Sequence, residues 1–521
     1  MNPGRKSFAR SVALGGSLLG AAAHLFAADP APPPTPSPAA ARLAATVHCT
    51  GCHALPDPAH LDRKTWTEEL IPRMRVMVGL APPTAEAGFL DIPVLIRGKA
   101  FPEKPLMTEE QFQLACRHFT DNAPDQLRSI QDQTRIAIGL PGFDIQVLPD
   151  RHTPPLTAMV KIDAPRRRLL LSDVTFQGYN VIGPDRVIRE GIKLGNIPVS
   201  AAFSGDSEWF ACIGHFFPRE EPHGQLIRMR RQPDGQYQRT EIRSGLPRTT
   251  DVKLADLNGD GREDFALCLF GNFIGRFSWF EGKGGDEWVE HVLWDKPGAL
   301  KCEIVDLDGD GHLDLVVLFA QSLETLVLFS GDGRGGFTRH TLLQRPPSWG
   351  HSGFELADFN GDGRLDLLVT NGDNADFQTS PPRAHHGVRI LLNRGERKFE
   401  QAWFAPMNGA YRAVARDFDL DGDLDIAAVS FFPDYEGSPR EGFLYFENTG
   451  QRDKLDFKPS TFRQSIAGRW LTLDAGDLDG DGDEDLVLGS LIRMPTAVPA
   501  PIRDMWEKQG PSVVILRNRA R

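Results

Sequence analysis

The chain has 521 residues, a length that accommodates about three domains. With 40% hydrophobic and 25% charged residues it is neither a mainly disordered nor a collagen-like chain. A net charge of −12 argues against nucleic acid as a partner, and 6 cysteines are too few for a disulfide scaffold.

Residues 1–28 read as a secretory signal. Arg5, Lys6 and Arg10 form a positive start, Ser11 to Ala23 is an apolar run of small residues, and Ala27-Ala28 offers a cleavage point. The run is shorter than the ~20 apolar residues of a membrane span. The expectation is an exported protein, periplasmic or at the cell surface, and membrane-tethered if the signal is not cleaved. Residues 29–41 are Pro-rich and read as an extended, semi-rigid linker.

Cys49-Thr50-Gly51-Cys52-His53 has the C-x-x-C-H spacing of c-type haem attachment. Two thiols add to the vinyl groups on one porphyrin edge, and the histidine that follows is then held under the iron. A zinc ribbon would need a second C-x-x-C, and Cys116, Cys212, Cys268 and Cys302 supply none. One motif implies one covalent haem c. For the sixth ligand the residues leave several candidates. Thr65-x-x-Glu68 reads as a capping box that starts a helix, broken at Pro72 and ended by Gly79, with Met74 and Met77 on one face. Thr108-x-x-Gln111 starts a second helix with Phe112, Cys116 and Phe119 inward, and Met107 just before it. His60 and His118 would give a bis-His haem.

Residues 42–130 resemble the small cytochrome c domains that precede propellers in some bacterial exported proteins. The matching stretches are Cys49–His53, Trp66 with Leu70-Ile71-Pro72-Arg73-Met74, and the late helix ending at Ala123-Pro124. That resemblance implies Met74 as the axial ligand, opposite His53.

The 51 glycines and 40 prolines call for many turns, and so for many short strands. Five segments share D-x-[DN]-x-D-G-x-x-D and start at residues 256, 306, 358, 417 and 477. A repeat of 50 to 60 residues signals a propeller or array. Each acidic loop precedes a short apolar run of strand type, such as Leu315–Phe319, and two further strands follow. Two units without acidic loops, at about 159–192 and 199–243, bring the blades to seven. The last unit ends after its third strand, so residues 143–149 are expected to supply the fourth and close the ring. The fold class is therefore a small all-α cytochrome c domain followed by an all-β seven-bladed β-propeller over 141–521.

Oxygen ligands at loop positions 1, 3, 5 and 9 suit a cation of calcium size, with glycine at position 6 for the turn. The ligand candidates are Asp256, Asn258, Asp260 and Asp264; Asp306, Asp308, Asp310 and Asp314; Asp358, Asn360, Asp362 and Asp366; Asp417, Asp419, Asp421 and Asp425; and Asp477, Asp479, Asp481 and Asp485. An EF-hand would carry Glu at position 12, where this chain has Leu267, Val317, Val369, Ala428 and Leu488. About five Ca²⁺ are expected, one per acidic loop. These repeats resemble the FG-GAP/VCBS type, the family of the integrin α-subunit propeller. The resemblance implies calcium loops on one face and partner-binding connections on the other.

On that second face the longer connections bring Asp373, His385, His386, Asp434, Tyr435 and Trp506. The blade-to-blade turns add Trp349, His351, Tyr411 and Arg412. No spacing among them defines a catalytic triad. The reading of function is an exported electron-transfer protein. Its haem serves a redox partner protein, and its propeller docks a protein or glycan. Two alternatives are a propeller oxidoreductase passing substrate electrons to the haem and an adhesive binding propeller.

Overall fold

The computed structural model describes residues 37–520 apart from 129, 131–135, 150–151, 378–379, 451–453 and 495. The signal expected at 1–28 and most of the 29–41 linker lie outside the described residues. The end of that linker is helical rather than extended. A helix spans Pro38–Cys49. Its alanine-rich sequence has high helix propensity, and proline is tolerated at the first helical position.

A second, broken helix follows. It begins with Arg63–Thr65, continues through a π-helical turn Trp66–Leu70 and ends with Ile71–Met77. Its N-cap is Asp62 rather than the expected Thr65, because the Asp62 carboxylate accepts both the Thr65 amide (2.9 Å) and the Thr65 hydroxyl (2.7 Å). The π-helical turn ends where Pro72, which has no amide hydrogen, enters the helix, so the chain passes the proline without stopping. The late helix Glu109–Asn122 carries the capping box in full, with Thr108 accepting from the Gln111 amide and Gln111 accepting from the Thr108 amide. Phe112, Cys116 and Phe119 are buried on its inner face. Trp66 stacks on Phe119 at 4.4 Å between ring centroids, which joins the broken helix to the late one.

The rest of the described chain forms seven antiparallel sheets of four strands, one of them extended by a fifth. They form a ring because the first strands of successive sheets touch. Second strands are buried throughout: all six residues of Asp314–Phe319 are inaccessible. Outer strands such as Phe337–Gln344 mix exposed and covered residues, because their outward side faces solvent. Most hydrophobic clusters of the propeller straddle two neighbouring blades. For example, Cys268, Phe277 and Trp279 of one blade pack on Cys302, Val317 and Phe329 of the next. One cluster, with Leu156, Phe431, Phe432 and Leu491, joins three.

The last blade takes Phe143–Val147 as its fourth strand, antiparallel to Val513–Asn518 with Ile145 opposite Leu516. Joining the two ends of the ring removes an open edge. The preceding segment contributes another strand. Ala137–Ile138 pairs in parallel with Phe457–Thr461. Among the described residues no helix is long and apolar enough to cross a membrane.

The helical segment rests on the propeller. Asp91 accepts both oxygens' worth of bonds from the Arg219 side chain (2.9 Å) and another from the Glu220 amide (2.8 Å). His60 bonds the Ser348 hydroxyl (2.6 Å), and Phe89 packs on Phe273. These partners lie in connections between second and third strands or between blades. The acidic loops join first to second strands, at the opposite end of each blade.

Candidate functional site

Three features can carry chemistry. The first is the C-x-x-C-H segment. Cys49 ends the first helix, Cys52 is exposed and His53 is half-buried in the turn that follows. His53 donates from Nδ1 to the Ala54 carbonyl (2.9 Å), which leaves Nε2 as the lone-pair nitrogen. A metal-bound histidine commonly has this arrangement, with the second ring nitrogen bonded to a carbonyl. Burial lowers the pKa of His53 and favours the neutral ring that metal ligation requires. The chemistry and geometry of these residues thus fit a haem.

The candidate axial ligands separate clearly. Met107 is buried in a cluster with Phe112 and Cys116, and Met74 packs against the same cluster. Burial, with Cys49 adding to it, pushes the Cys116 thiol up to about 12. The late helix that carries Cys116 packs on the attachment helix. Met77 packs elsewhere, against Val76, Phe89 and Leu95. His60 is engaged at the propeller, and His118 lies against Phe119. The structure therefore places Met74 and Met107 together and separates Met77 from both.

The second feature is the set of acidic loops. Position 1 organises each turn: Asp256 accepts the Gly259 and Gly261 amides (both 2.8 Å), and Asp306 accepts those of Gly309 and Gly311. Glycine suits both positions, since Gly259 and Gly261 have φ of 73° and 80°, although Leu420 takes φ of 62° at the place equivalent to Gly259. Ligand oxygens of Asp306, Asp308 and Asp314 converge within 4.8 Å, as do those of Asp417, Asp419 and Asp421 and of Asp477, Asp479 and Asp481. Asp417 Oδ1 and Asp423 Oδ1 are buried with no hydrogen-bond partner. Burial and the neighbouring aspartates raise the pKa of Asp419 and of Asp423. A converged, partly buried set of carboxylate oxygens fits a calcium-sized cation.

Position 9 has a second role. Asp264, Asp314, Asp366, Asp425 and Asp485 are fully buried. Asp314 accepts the Leu307 amide at the loop start and the Gly331 amide at the end of the third strand, both at 2.9 Å. Asp264, Asp366 and Asp485 make the equivalent pair of bonds. Asp425 instead takes the Asn448 amide and the Tyr445 hydroxyl. These carboxylates tie loop to blade whether or not a cation is bound. We expect Asp314→Ala to cost roughly 2–4 kcal/mol by stranding two buried amides, with or without calcium. Asp308→Asn should lower stability only when calcium is present. Denaturant titrations of both variants, with and without chelator, check this.

The third feature is a cavity of about 200 Å³ at the axial mouth opposite the acidic loops. First strands of all seven blades line it, from Ala158 to Leu471, and Arg248, Lys301, Asp373 and Arg412 bring charge. Burial, with Asp376 beside it, pushes the Asp373 carboxyl up to about 6. Burial lowers the pKa of Arg248. Tyr411 lines it too, whereas others singled out on this face lie elsewhere. His385 stacks on Trp349 at 5.0 Å and meets His60 at 4.5 Å, and Tyr435 packs edge-on to Trp506. Those groups hold loops together. Cys212, Cys268 and Cys302 are buried free thiols.

Residues 256–317 and 306–369 match the FG-GAP-like repeat family. Among curated proteins none matches the chain. Among solved structures, the N-terminal domain of Nup159 is similar at 8% identity and a TM-score of 0.42, covering 75% of this chain and 97% of that one. BBS1N, solved in complex with ARL6DN, is similar at 10% identity and a TM-score of 0.41, covering 73% and 97%. Regucalcin, a calcium-binding protein from Agrobacterium tumefaciens, reaches 10% identity and a TM-score of 0.37, covering 60% and 94%. The chain thus carries FG-GAP repeats in a seven-bladed propeller, an architecture that suits binding or docking.

Proposed function

We propose that this chain is an exported c-type cytochrome with one covalent haem, used for electron transfer, whose calcium-stabilised propeller docks a redox partner protein or a glycan. The observation that carries the reading is the C-x-x-C-H turn in which His53 Nδ1 donates to Ala54 and Nε2 stays available. Cys49 and Cys52 would attach the porphyrin, and His53 and Met74 would ligate the iron, with Met107 as the competing ligand. The group supplies one-electron transfer, and a methionine thioether favours its ferrous state. Phe112, Ile71 and Val78, which pack with Met74 and Met107, would give either sulfur an apolar setting. The calcium ions, about one per acidic loop, would neutralise aspartates that otherwise repel. Export to the periplasm or cell surface follows from the N-terminal signal and from haem c itself.

Met74→Ala should abolish the weak sulfur-to-iron band of the oxidised spectrum, while Met107→Ala should leave it. The reverse result transfers the axial role to Met107. The axial cavity supports a second reading, a propeller oxidoreductase. In it, Asp373 and Arg412 would hold a small polar substrate whose electrons pass to the haem. Reduction of the haem by a sugar or alcohol without any protein partner would select that reading.

A further inference from the structure

Blade 2 has no acidic loop, but the connection between its second and third strands holds a different set of donors. The strands are Ser207–Cys212 and Gly224–Arg231, and the loop between them carries His215, Glu221 and His223. Glu221 Oε2 lies 3.5 Å from His215 Nε2 and 3.7 Å from His223 Nε2. One ligand atom from each residue falls within 4.8 Å of the others. Both contacts exceed ordinary hydrogen-bond length, so the three atoms converge without satisfying one another. Donors bound to a tetrahedral zinc ion at about 2.0–2.1 Å stand about 3.3 Å apart. The two glutamate–histidine pairs need a few tenths of an ångström of adjustment to take up that geometry, and the histidine pair, within 4.8 Å, needs at most about 1.5 Å.

Surrounding bonds hold the loop in this shape. Asn196 accepts from the Gly214 amide (2.9 Å) and donates to the His223 carbonyl (3.0 Å), clamping the two histidine-bearing ends. Gly214 has φ of 80°, and a Cβ there would stand 2.7 Å from the His223 carbonyl carbon. A side chain at 214 would thus push the two ends apart. Glu220 accepts the amides of Asn272 (2.9 Å) and Ile274 (3.1 Å), and Arg219 is tied to Asp91. Glu221 follows two anchored residues directly. The charged groups around the site are the carboxylates of Asp91, Glu220 and Glu221 and the guanidinium groups of Arg219 and Arg248, a set with net negative charge.

We propose that His215, Glu221 and His223 bind one divalent transition-metal ion of the zinc type. Two imidazoles and one carboxylate suit zinc, copper or nickel and not calcium, which takes six or more oxygens. Both histidines are exposed, at 45% and 59% of their side chains, so a fourth coordination position faces solvent. Three protein ligands with an open position are the arrangement of sites that bind an exogenous ligand. The inference does not depend on the haem reading.

The test is equilibrium dialysis of the full chain against zinc in saturating calcium, with zinc and calcium counted by elemental analysis. The double variant His215→Ala/His223→Ala should bind one zinc fewer than the parent. Glu221→Gln should weaken that zinc by at least about tenfold. Equal zinc in parent and double variant overturns the proposal. The spectrum of bound Cu²⁺ provides a readout that needs no variant. Nitrogen splitting from two imidazoles supports the site, and a Cu²⁺ signal without nitrogen coupling contradicts it.

Discussion

Removal of calcium should lower the melting temperature of the full chain by more than about 10 °C. Each saturated site adds about 2.7 kcal/mol when free calcium is a hundredfold above its dissociation constant. One kcal/mol moves the midpoint of a large domain by roughly 2 °C, and five sites act on one ring. The molecular reason is the set of 18 aspartates at ligand positions in five short loops. Without a cation they repel, and burial with neighbouring aspartates raises Asp425 to about 7 and Asp485 to about 6. The sign of the pH dependence follows. A carboxyl whose folded pKa lies above its unfolded value makes the folded state bind more protons. Stability of the calcium-free protein then falls as pH rises from the ordinary carboxylate range through about 7. Acidification from neutral pH to about 5 should therefore narrow the gap between calcium-free and calcium-loaded protein. Scanning calorimetry with and without chelator at the two pH values reads both effects. An unchanged melting curve on chelation contradicts the structural role of calcium.

The second large effect is covalent. Replacing Cys49 and Cys52 together by serine removes both thioether links and should take haem content from one per chain to none on a denaturing gel. The blades should keep their fold, because their clusters are built from strand residues of neighbouring blades, whereas Cys49 packs against a separate cluster that Phe377 of the propeller joins. Calcium-dependent melting of the double serine variant should match that of the parent. Haem retained on the denaturing gel would mean attachment elsewhere in the chain.

Much of the propeller is legible in the sequence because its signals are local. An acidic loop, its glycine turn and the apolar second strand occupy about a dozen consecutive residues, and five copies set the period. The ring closure is also readable, since an unassigned strand at 143–147 and a last unit short of one strand need each other. What is hidden depends on partners distant in sequence. The position-9 aspartates look like metal ligands alone. Their strut role requires amides such as Gly331, which lies 17 residues from Asp314. The cap at Asp62 is hidden by Thr65, which fits a familiar pattern but serves as the donor instead. Ala137–Ile138 is too short to be read as a strand, and only its pairing with Phe457–Thr461 makes it one.

The candidate sites follow the same division. C-x-x-C-H announces itself by spacing, whereas the choice between Met74 and Met107 depends on packing, and the two share one cluster. His215, Glu221 and His223 have no recognised spacing. They meet because Gly214 and Asn196 bring the loop ends together.

The proposed function rests on a haem carried for electron transfer. Its most direct test is the optical spectrum, oxidised and reduced, of the full chain made in a host that attaches haem c. Candidate sugars are added afterwards. The expected result is a c-type spectrum with a sulfur-to-iron band, one haem per chain, and no reduction by the sugars. A chain that emerges from that host without covalent haem contradicts it.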